Sequence, residues 1–324
     1  MTRETEIAVF LAGSGWSRAQ YEPLPGDASF RRYIRLRRDA ETIMLMDAPP
    51  PKEDVRPFIT VAARLRQLGL SAPEVQRSDP ARGLLLVEDF GDDTFTRLLD
   101  RGESATELYL LATDALVALQ HHGDAAAGFP FFGADEFLAG AELLLDWYLP
   151  AANRQTTDRE GFRAAMLQTL APVLAGPQTL MLRDFHVDNL VRLEGREGVA
   201  ACGLLDFQDA AGGPPAYDLA SLIEDARREI DGTVRRAVLA RYRAAFPHAQ
   251  DLERDIAVLG AQRHIRVLGT FVRLARRDRK QSYLRHLPRL RRMLERNLAH
   301  PALEPLAAWF RRQVDANLLI PAAE

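Results

Sequence analysis

The hydrophobic positions divide the chain into a strand-rich beginning and a helix-dominated remainder. Residues 3–13 place Ile7, Phe10 and Leu11 on one side of a short amphipathic helix. Tyr21–Pro25 and Phe30–Arg37 are strand-like runs around the turn Pro25-Gly-Asp-Ala-Ser29, and Thr42–Met46 and Gly83–Val87 are further strands. After the stiff Pro49-Pro-Pro51, apolar Val55, Phe58, Ile59, Ala62 and Leu65 predict a helix over Asp54–Leu68, ended by Gly69. Glu53 and Asp54 read as acids at the start of that helix. Helical spacing then dominates, over about 103–121, 133–149, 158–174, 217–229, 232–246, 251–276, 283–297 and 302–316. One later stretch departs from it. Leu190–Leu193 and Val199–Leu205 are strand-like, and Glu194-Gly-Arg-Glu-Gly198 between them is turn material, which predicts a β-hairpin. The expected fold class is therefore α+β.

That hairpin carries the candidate chemistry. Its open ends bring Asn189 beside Asp206, with Asp184 just upstream. Two carboxylates and an amide oxygen are hard oxygen ligands of the kind Mg²⁺ prefers, with room left for substrate phosphates. One carboxylate then remains to orient and deprotonate an attacking hydroxyl. The spacing D-x-x-x-x-N followed by a later Asp is the order of a kinase catalytic loop and its metal-binding acid. A buried hairpin whose acids only cap turns is the competing reading, because D-x-x-x-x-N alone is a weak signal.

Composition narrows the classes. With 324 residues the chain is long enough for two lobes, and 47% hydrophobic with 27% charged residues describes an ordinary globular protein. A formal charge of −3 provides no general attraction to nucleic acid or membrane. Cys202 is the single cysteine, so no intrachain disulfide is expected. No apolar run approaches membrane-spanning length, and Ile7–Ala12 lacks the basic flank of a signal peptide, so a cytoplasmic location is expected. Neither a nucleic-acid nor a protein partner is expected.

The stretches Leu182-Arg-Asp-Phe-His-Val-Asp-Asn189 and Leu204-Leu-Asp-Phe-Gln-Asp209, with Gly213-Pro-Pro-Ala-Tyr-Asp-Leu219, resemble the aminoglycoside phosphotransferase/choline kinase family. Gly26-Asp-Ala-Ser-Phe-Arg-Arg-Tyr33 and Leu45-Met-Asp-Ala-Pro-Pro50 are similar to its sugar kinases of cell-wall recycling, which phosphorylate N-acetylmuramate and N-acetylglucosamine at C1. An aminoglycoside or other small-molecule hydroxyl kinase of the same fold is the alternative. The resemblance covers about residues 20–225. It implies a two-lobed protein-kinase-like fold, with a small β-rich lobe over 1–90 and a large, mainly helical lobe over 91–324. ATP is the implied donor, an amino sugar the acceptor and Mg²⁺ the metal. Asp184 is the implied base, and Asn189 and Asp206 are the metal ligands.

Two departures from the wider family bear on the site. Met stands in Thr42–Met46 where a phosphate-binding Lys is usual, and the chain has only Lys52 and Lys280. Arg31, Arg32 or Arg35 is expected to take that role, since guanidinium groups bind phosphate bidentately. Ser29, Phe30, Arg31 and Arg32 are thus nucleotide-binding candidates, with Glu88 and Phe90 at the hinge strand, whose backbone would meet adenine. Leu182 occupies a position where the family usually has His. Arg183, His186, Gln208 and Asp209 are the acceptor-binding candidates, and Asp218 is expected to hold the catalytic loop by hydrogen bonds. Residues 260–296 carry Arg263, His264, Arg266, Arg273, Arg276, Arg277, Arg279 and Lys280, a basic stretch that suits an anionic acceptor or lies on a solvated helix face.

Overall fold

A computed structural model describes residues 2–25, 30–154 and 158–314. The chain forms two compact units, Met1–Ser104 with Val187–Asp209, and Ala105–His186 with Ala210–Glu324. This differs from the expected division after residue 90. The first unit runs to Ser104 and also takes in the predicted hairpin.

The first unit is built on an antiparallel sheet in the order β1-β2-β3-β5-β4, with β1 Gln20–Pro23, β2 Arg32–Arg38, β3 Glu41–Asp47, β4 Val75–Asp79 and β5 Leu84–Val87. Alternation along the strands decides its core. Leu36, Ile43, Leu45, Leu84 and Leu86 pack with Ile7, Phe10 and Leu11 of α1 (Arg3–Ala12) and with Trp16. Helix α2 (Arg56–Gln67) buries Phe58, Ala62 and Leu65 at the expected periodic positions, with Val61 buried in place of Ile59. A short α3 (Phe95–Asp100), capped by Thr94, follows the last strand.

The hairpin forms with β7 (Leu190–Arg192) antiparallel to β8 (Cys202–Leu204), Leu190 opposite Leu204. Its second strand is shorter than expected, because Gly198–Ala201 is a 3₁₀ turn. Gly195 (φ +76°) and Gly198 (φ +55°) supply the left-handed conformations of the turn. Ser71 explains why the hairpin belongs to this unit. Its carbonyl accepts from Leu204 N–H at 2.8 Å, and its hydroxyl donates to the Ala200 carbonyl at 2.7 Å.

The second unit is mainly helical: α4 (Ala105–Gln120), α5 (Ala134–Leu143), α6 (Leu149–Ala151), α7 (Arg159–Leu174), α8 (Ala216–Ile223), α9 (Gly232–Ala245), α10 (Leu252–Arg277), α11 (Leu287–Leu298) and α12 (Glu304–Gln313). A π-helical turn, Leu144–Tyr148, joins α5 to α6. The long α10 is central, with Leu259, Ile265, Leu268 and Val272 fully buried. Gly269 sits where a Cβ would lie 2.3 Å from the Leu143 backbone, so two helices meet at a distance only glycine permits. Strands β6 (Thr179–Met181) and β9 (Ala211–Gly213) pair antiparallel and present the following loop.

Helix α8 stops at Ile223, short of the expected 229. Glu224 leaves the helix at φ −125°, and Glu224 and Asp225 are both buried. Asn297 of α11 donates to Glu224 at 2.9 Å, a partner that lies 73 residues away and that local periodicity cannot anticipate. Among the described residues no helix is long and apolar enough to cross a membrane.

Candidate active site

In the second unit the loop after β6 carries Asp184. Arg183 has a positive φ of 73°, a conformation few non-glycine residues adopt. The strain is held by Asp218 at the start of α8. Its carboxylate accepts from the backbone N–H of Leu182 at 2.6 Å and of Arg183 at 2.8 Å. Burial pushes the Asp218 carboxyl up, to about 7, against the pull of those two donors. The loop-holding role expected of Asp218 is thus present in the geometry.

The Asp184 side chain keeps 34% exposure, and Arg266 Nη2 lies 3.9 Å from its Oδ1. Burial pushes the Asp184 carboxyl up. The charges of Arg266, His186, Arg263 and Arg183 outweigh it and hold the carboxyl below the usual carboxylate range. Asp184 is therefore ionised at neutral pH. Arg183 places its guanidinium 4.4 Å from the ring centre of Phe132. His186 is buried, with Nε2 3.5 Å from Arg227 Nη1. Burial lowers its pKa, opposed by Asp225.

In the first unit the hairpin ends meet as the pattern predicts. Leu205 N–H donates to the Asn189 carbonyl at 2.9 Å, and Asn189 Nδ2 lies 3.5 Å from Asp206 Oδ2. Asp206 has a positive φ of 57°, which turns its carboxylate out of the strand direction. Phe207, next in sequence, anchors the turn by stacking on Phe58 of α2 at 4.9 Å. Gln208 Nε2 donates to Asp206 Oδ1 at 3.0 Å, so Gln208 serves the acid beside it. Asp209 is exposed. The four acceptor candidates therefore divide, Arg183 and His186 in the second unit, Gln208 and Asp209 in the first.

The arginines expected to replace the missing Lys separate by their partners. Arg35 is buried and held bidentately by Asp89 at 2.6 and 3.0 Å, and by Asp92 at 2.9 and 3.3 Å. Arg32 is bound to the buried Asp47, which also takes Arg3. Arg31 instead lies 3.7 Å from Asp206 Oδ1 and 3.5 Å from Glu53 Oε2. Glu53 also accepts from Phe30 N–H at 3.0 Å. Glu53 is thus the partner of Arg31, not a helix-start acid, while Asp54 does accept from Arg56 N–H at 3.0 Å. Spacing within one helix cannot reveal a partner more than twenty residues away in the chain. Phe30 is exposed, with Lys52 Nζ 4.5 Å from its ring centre. Ser29 lies outside the described residues.

Glu88 and Phe90 follow β5. Glu88 N–H donates to the Glu74 carbonyl at 2.9 Å, and its carboxylate pairs with Arg196. Phe90 packs on Gly203, where a Cβ would lie 2.8 Å from the ring.

The donors at the hairpin end suit Mg²⁺. Asp206 already draws three cationic or N–H groups, from Arg31, Asn189 and Gln208, to its carboxylate. One carboxylate and one amide oxygen make the sparse, all-oxygen set of a Mg²⁺ ion shared with phosphates.

With this geometry in place, the similarities of the chain are informative. Residues 20–255 match the family model described as "Phosphotransferase enzyme family". The N-acetylmuramate/N-acetylglucosamine kinase of Caulobacter vibrioides is 35% identical, over 96% of this chain and 97% of that one. The protein of the same name from Pseudomonas aeruginosa is 37% identical, over 90% and 88%. A solved choline/ethanolamine kinase family protein from Mesorhizobium loti superposes with a TM-score of 0.62 at 17% identity, over 96% and 100%, and so shares the fold. The family match spans both the Asp184 loop and the Asn189–Asp206 hairpin, and the chain belongs to the phosphotransferase enzyme family.

Proposed function

We propose that the protein is an ATP-dependent amino-sugar kinase that phosphorylates the anomeric hydroxyl of N-acetylmuramate and N-acetylglucosamine in the cytoplasm. The observation that carries this reading is the surroundings of Asp184. Arg266, Arg263 and Arg183 bear on it, whereas a pocket for a polycationic aminoglycoside calls for acids. The names of the relatives at 35% and 37% identity support the same acceptors.

Asp184 orients the sugar hydroxyl and takes its proton as the oxygen attacks the γ-phosphorus of ATP. The P–O bond to ADP breaks, and ADP leaves with the electron pair. An anomeric hydroxyl is more acidic than an ordinary alcohol, which suits a carboxylate base of low pKa. Asp206 and the Asn189 amide oxygen are the ligands for Mg²⁺, which when bound offsets phosphate charge. Asp218 fixes the loop that presents Asp184. Arg31, oriented by Glu53, meets the phosphates in place of the missing Lys.

Arg31→Ala is expected to raise the KM for ATP by about tenfold, the loss of one charge-assisted contact. Glu53→Gln should reproduce part of it, and Arg32→Ala should have a smaller effect because Asp47 holds Arg32. Equal effects of Arg31→Ala and Arg32→Ala in steady-state kinetics would contradict this assignment. The function itself is tested by offering Mg-ATP with N-acetylglucosamine or kanamycin. N-acetylglucosamine should yield ADP and a product without a reducing end. Phosphorylation of kanamycin at comparable efficiency would favour the antibiotic-kinase alternative.

A further inference from the structure

Beyond its charge on Asp184, Arg263 has no role assigned so far. It lies in the middle of α10, 3% exposed, between the equally buried Gln262 and His264, which both have hydrogen-bond partners. Its Nε and Nη1 have no hydrogen-bond partner among the described residues. Nor is a carboxylate within 4.0 Å of its guanidinium among the described residues, although most other arginines here have one. Taking a guanidinium out of water without a bonded anion costs several kcal/mol. A fold that keeps such a group needs a compensating ligand or function.

The position of Arg263 indicates what that ligand is. Arg266 is one helical turn further along α10, so the two side chains share a face, and Arg266 reaches within 3.9 Å of Asp184. Arg263 contributes to holding Asp184 ionised, and Asp184 and Asp225 in turn favour its charge. The helix that carries both arginines is fixed on two sides. Gln262 donates to the Phe137 carbonyl at 2.7 Å, and His264 Nε2 lies 3.4 Å from the Glu224 carbonyl. Gly140 of α5 leaves room for the Arg266 stem, since a Cβ there would lie 3.1 Å from Arg266 Cδ. Burial opposes the charge of Arg263 and Arg266 repels it, so an incoming anion would be bound strongly.

We propose that Arg263 is a carboxylate-recognising residue of the acceptor site and reads the lactyl group of N-acetylmuramate. This rests on the sugar-kinase reading above and extends it to specificity. The two proposed acceptors differ in one group, a lactyl ether on O3, which ends in a carboxylate. The reacting oxygen is on C1 of the same ring, two positions away. The base assigned to the C1 hydroxyl thus has a buried cation on the helix face that carries its own ion-pair partner, Arg266. Arg presents two parallel N–H donors to a carboxylate, through Nη1 and Nη2 or through Nε and Nη2, and the unpartnered Nη1 and Nε of Arg263 each stand on one of these edges. N-acetylglucosamine leaves the guanidinium without this bond.

The test compares kcat/KM for N-acetylmuramate, its lactyl methyl ester and N-acetylglucosamine, each with saturating Mg-ATP. With the natural enzyme, the ester should fall from the efficiency of the acid to that of N-acetylglucosamine. This arm needs no variant and so does not depend on the folding of one. Arg263→Met should lower the ratio of N-acetylmuramate to N-acetylglucosamine efficiency by about 30-fold, as expected for one partner of a buried charge pair. Arg263→Lys should restore part of the ratio. An ester used as well as the acid, or a ratio unmoved by Arg263→Met, would overturn the assignment while leaving the sugar-kinase reading intact. Turnover of neither sugar by the natural enzyme would overturn both.

Discussion

Asp184→Asn is expected to abolish nearly all sugar phosphorylation while nucleotide affinity stays close to that of the natural enzyme. A positioned general base contributes about 10²- to 10⁴-fold, and the loss should appear in kcat. The substitution keeps size and a hydrogen-bonding oxygen, so the loop should stay in place. Its shape is set by the Asp218 bonds to Leu182 and Arg183 N–H, which do not involve the Asp184 side chain. Single-turnover phosphorylation of N-acetylglucosamine, with ADP binding measured by calorimetry, separates the two effects. A variant with near-natural kcat would exclude Asp184 as the base. Because the Asp184 carboxyl is held below the usual range, the base itself should stay ionised from neutral pH down into that range. A fall in activity already near pH 7 would report protonation of the loop-holding Asp218, pushed up to about 7, and not of the base.

Asp206→Ala should be comparably severe and should not be rescued by raising Mg²⁺. Outer groups that only hydrogen-bond to metal ligands are worth about 10- to 100-fold, and a ligand itself counts for more. The substitution also removes the anion that Arg31, Asn189 and Gln208 all approach. These groups would be left facing one another without it. Asn189→Asp should be milder, since an oxygen ligand remains. A Mg²⁺ titration of ATP turnover in the three proteins reads both effects. Full activity of Asp206→Ala at ordinary Mg²⁺ would show that the hairpin end is not the metal site.

Much of this was legible before any fold was known, because the informative features were local. The hairpin follows from two apolar runs and a glycine turn, and its open end brings Asn189 to Asp206 with no tertiary knowledge needed. Most helices from α4 to α12 follow from apolar spacing, since they bury one face, whereas α8 is buried on all sides and α6 is a three-residue turn. What was not legible depends on partners distant in sequence. Glu53 reads as a helix-start acid until the residue just before β2, Arg31, is brought to it. Arg35 reads as a phosphate ligand until Asp89 and Asp92 claim it. Helix α8 reads longer than it is, because Asn297 draws Glu224 inward from 73 residues away. Arg263 reads as part of a basic stretch that suits an anionic acceptor or lies on a solvated face, because charge alone does not reveal which side of an amphipathic helix a residue occupies.

The central claim is transfer of phosphate to the anomeric oxygen of an amino sugar, and a sugar blocked at that oxygen tests it most directly. The methyl glycoside of N-acetylglucosamine keeps every other hydroxyl and the acetamido group. Offered with Mg-ATP beside the free sugar, it should give no phosphorylated product, while the free sugar gives a phosphate that has lost its reducing end. Phosphorylation of the methyl glycoside at a rate near that of the free sugar would contradict the account.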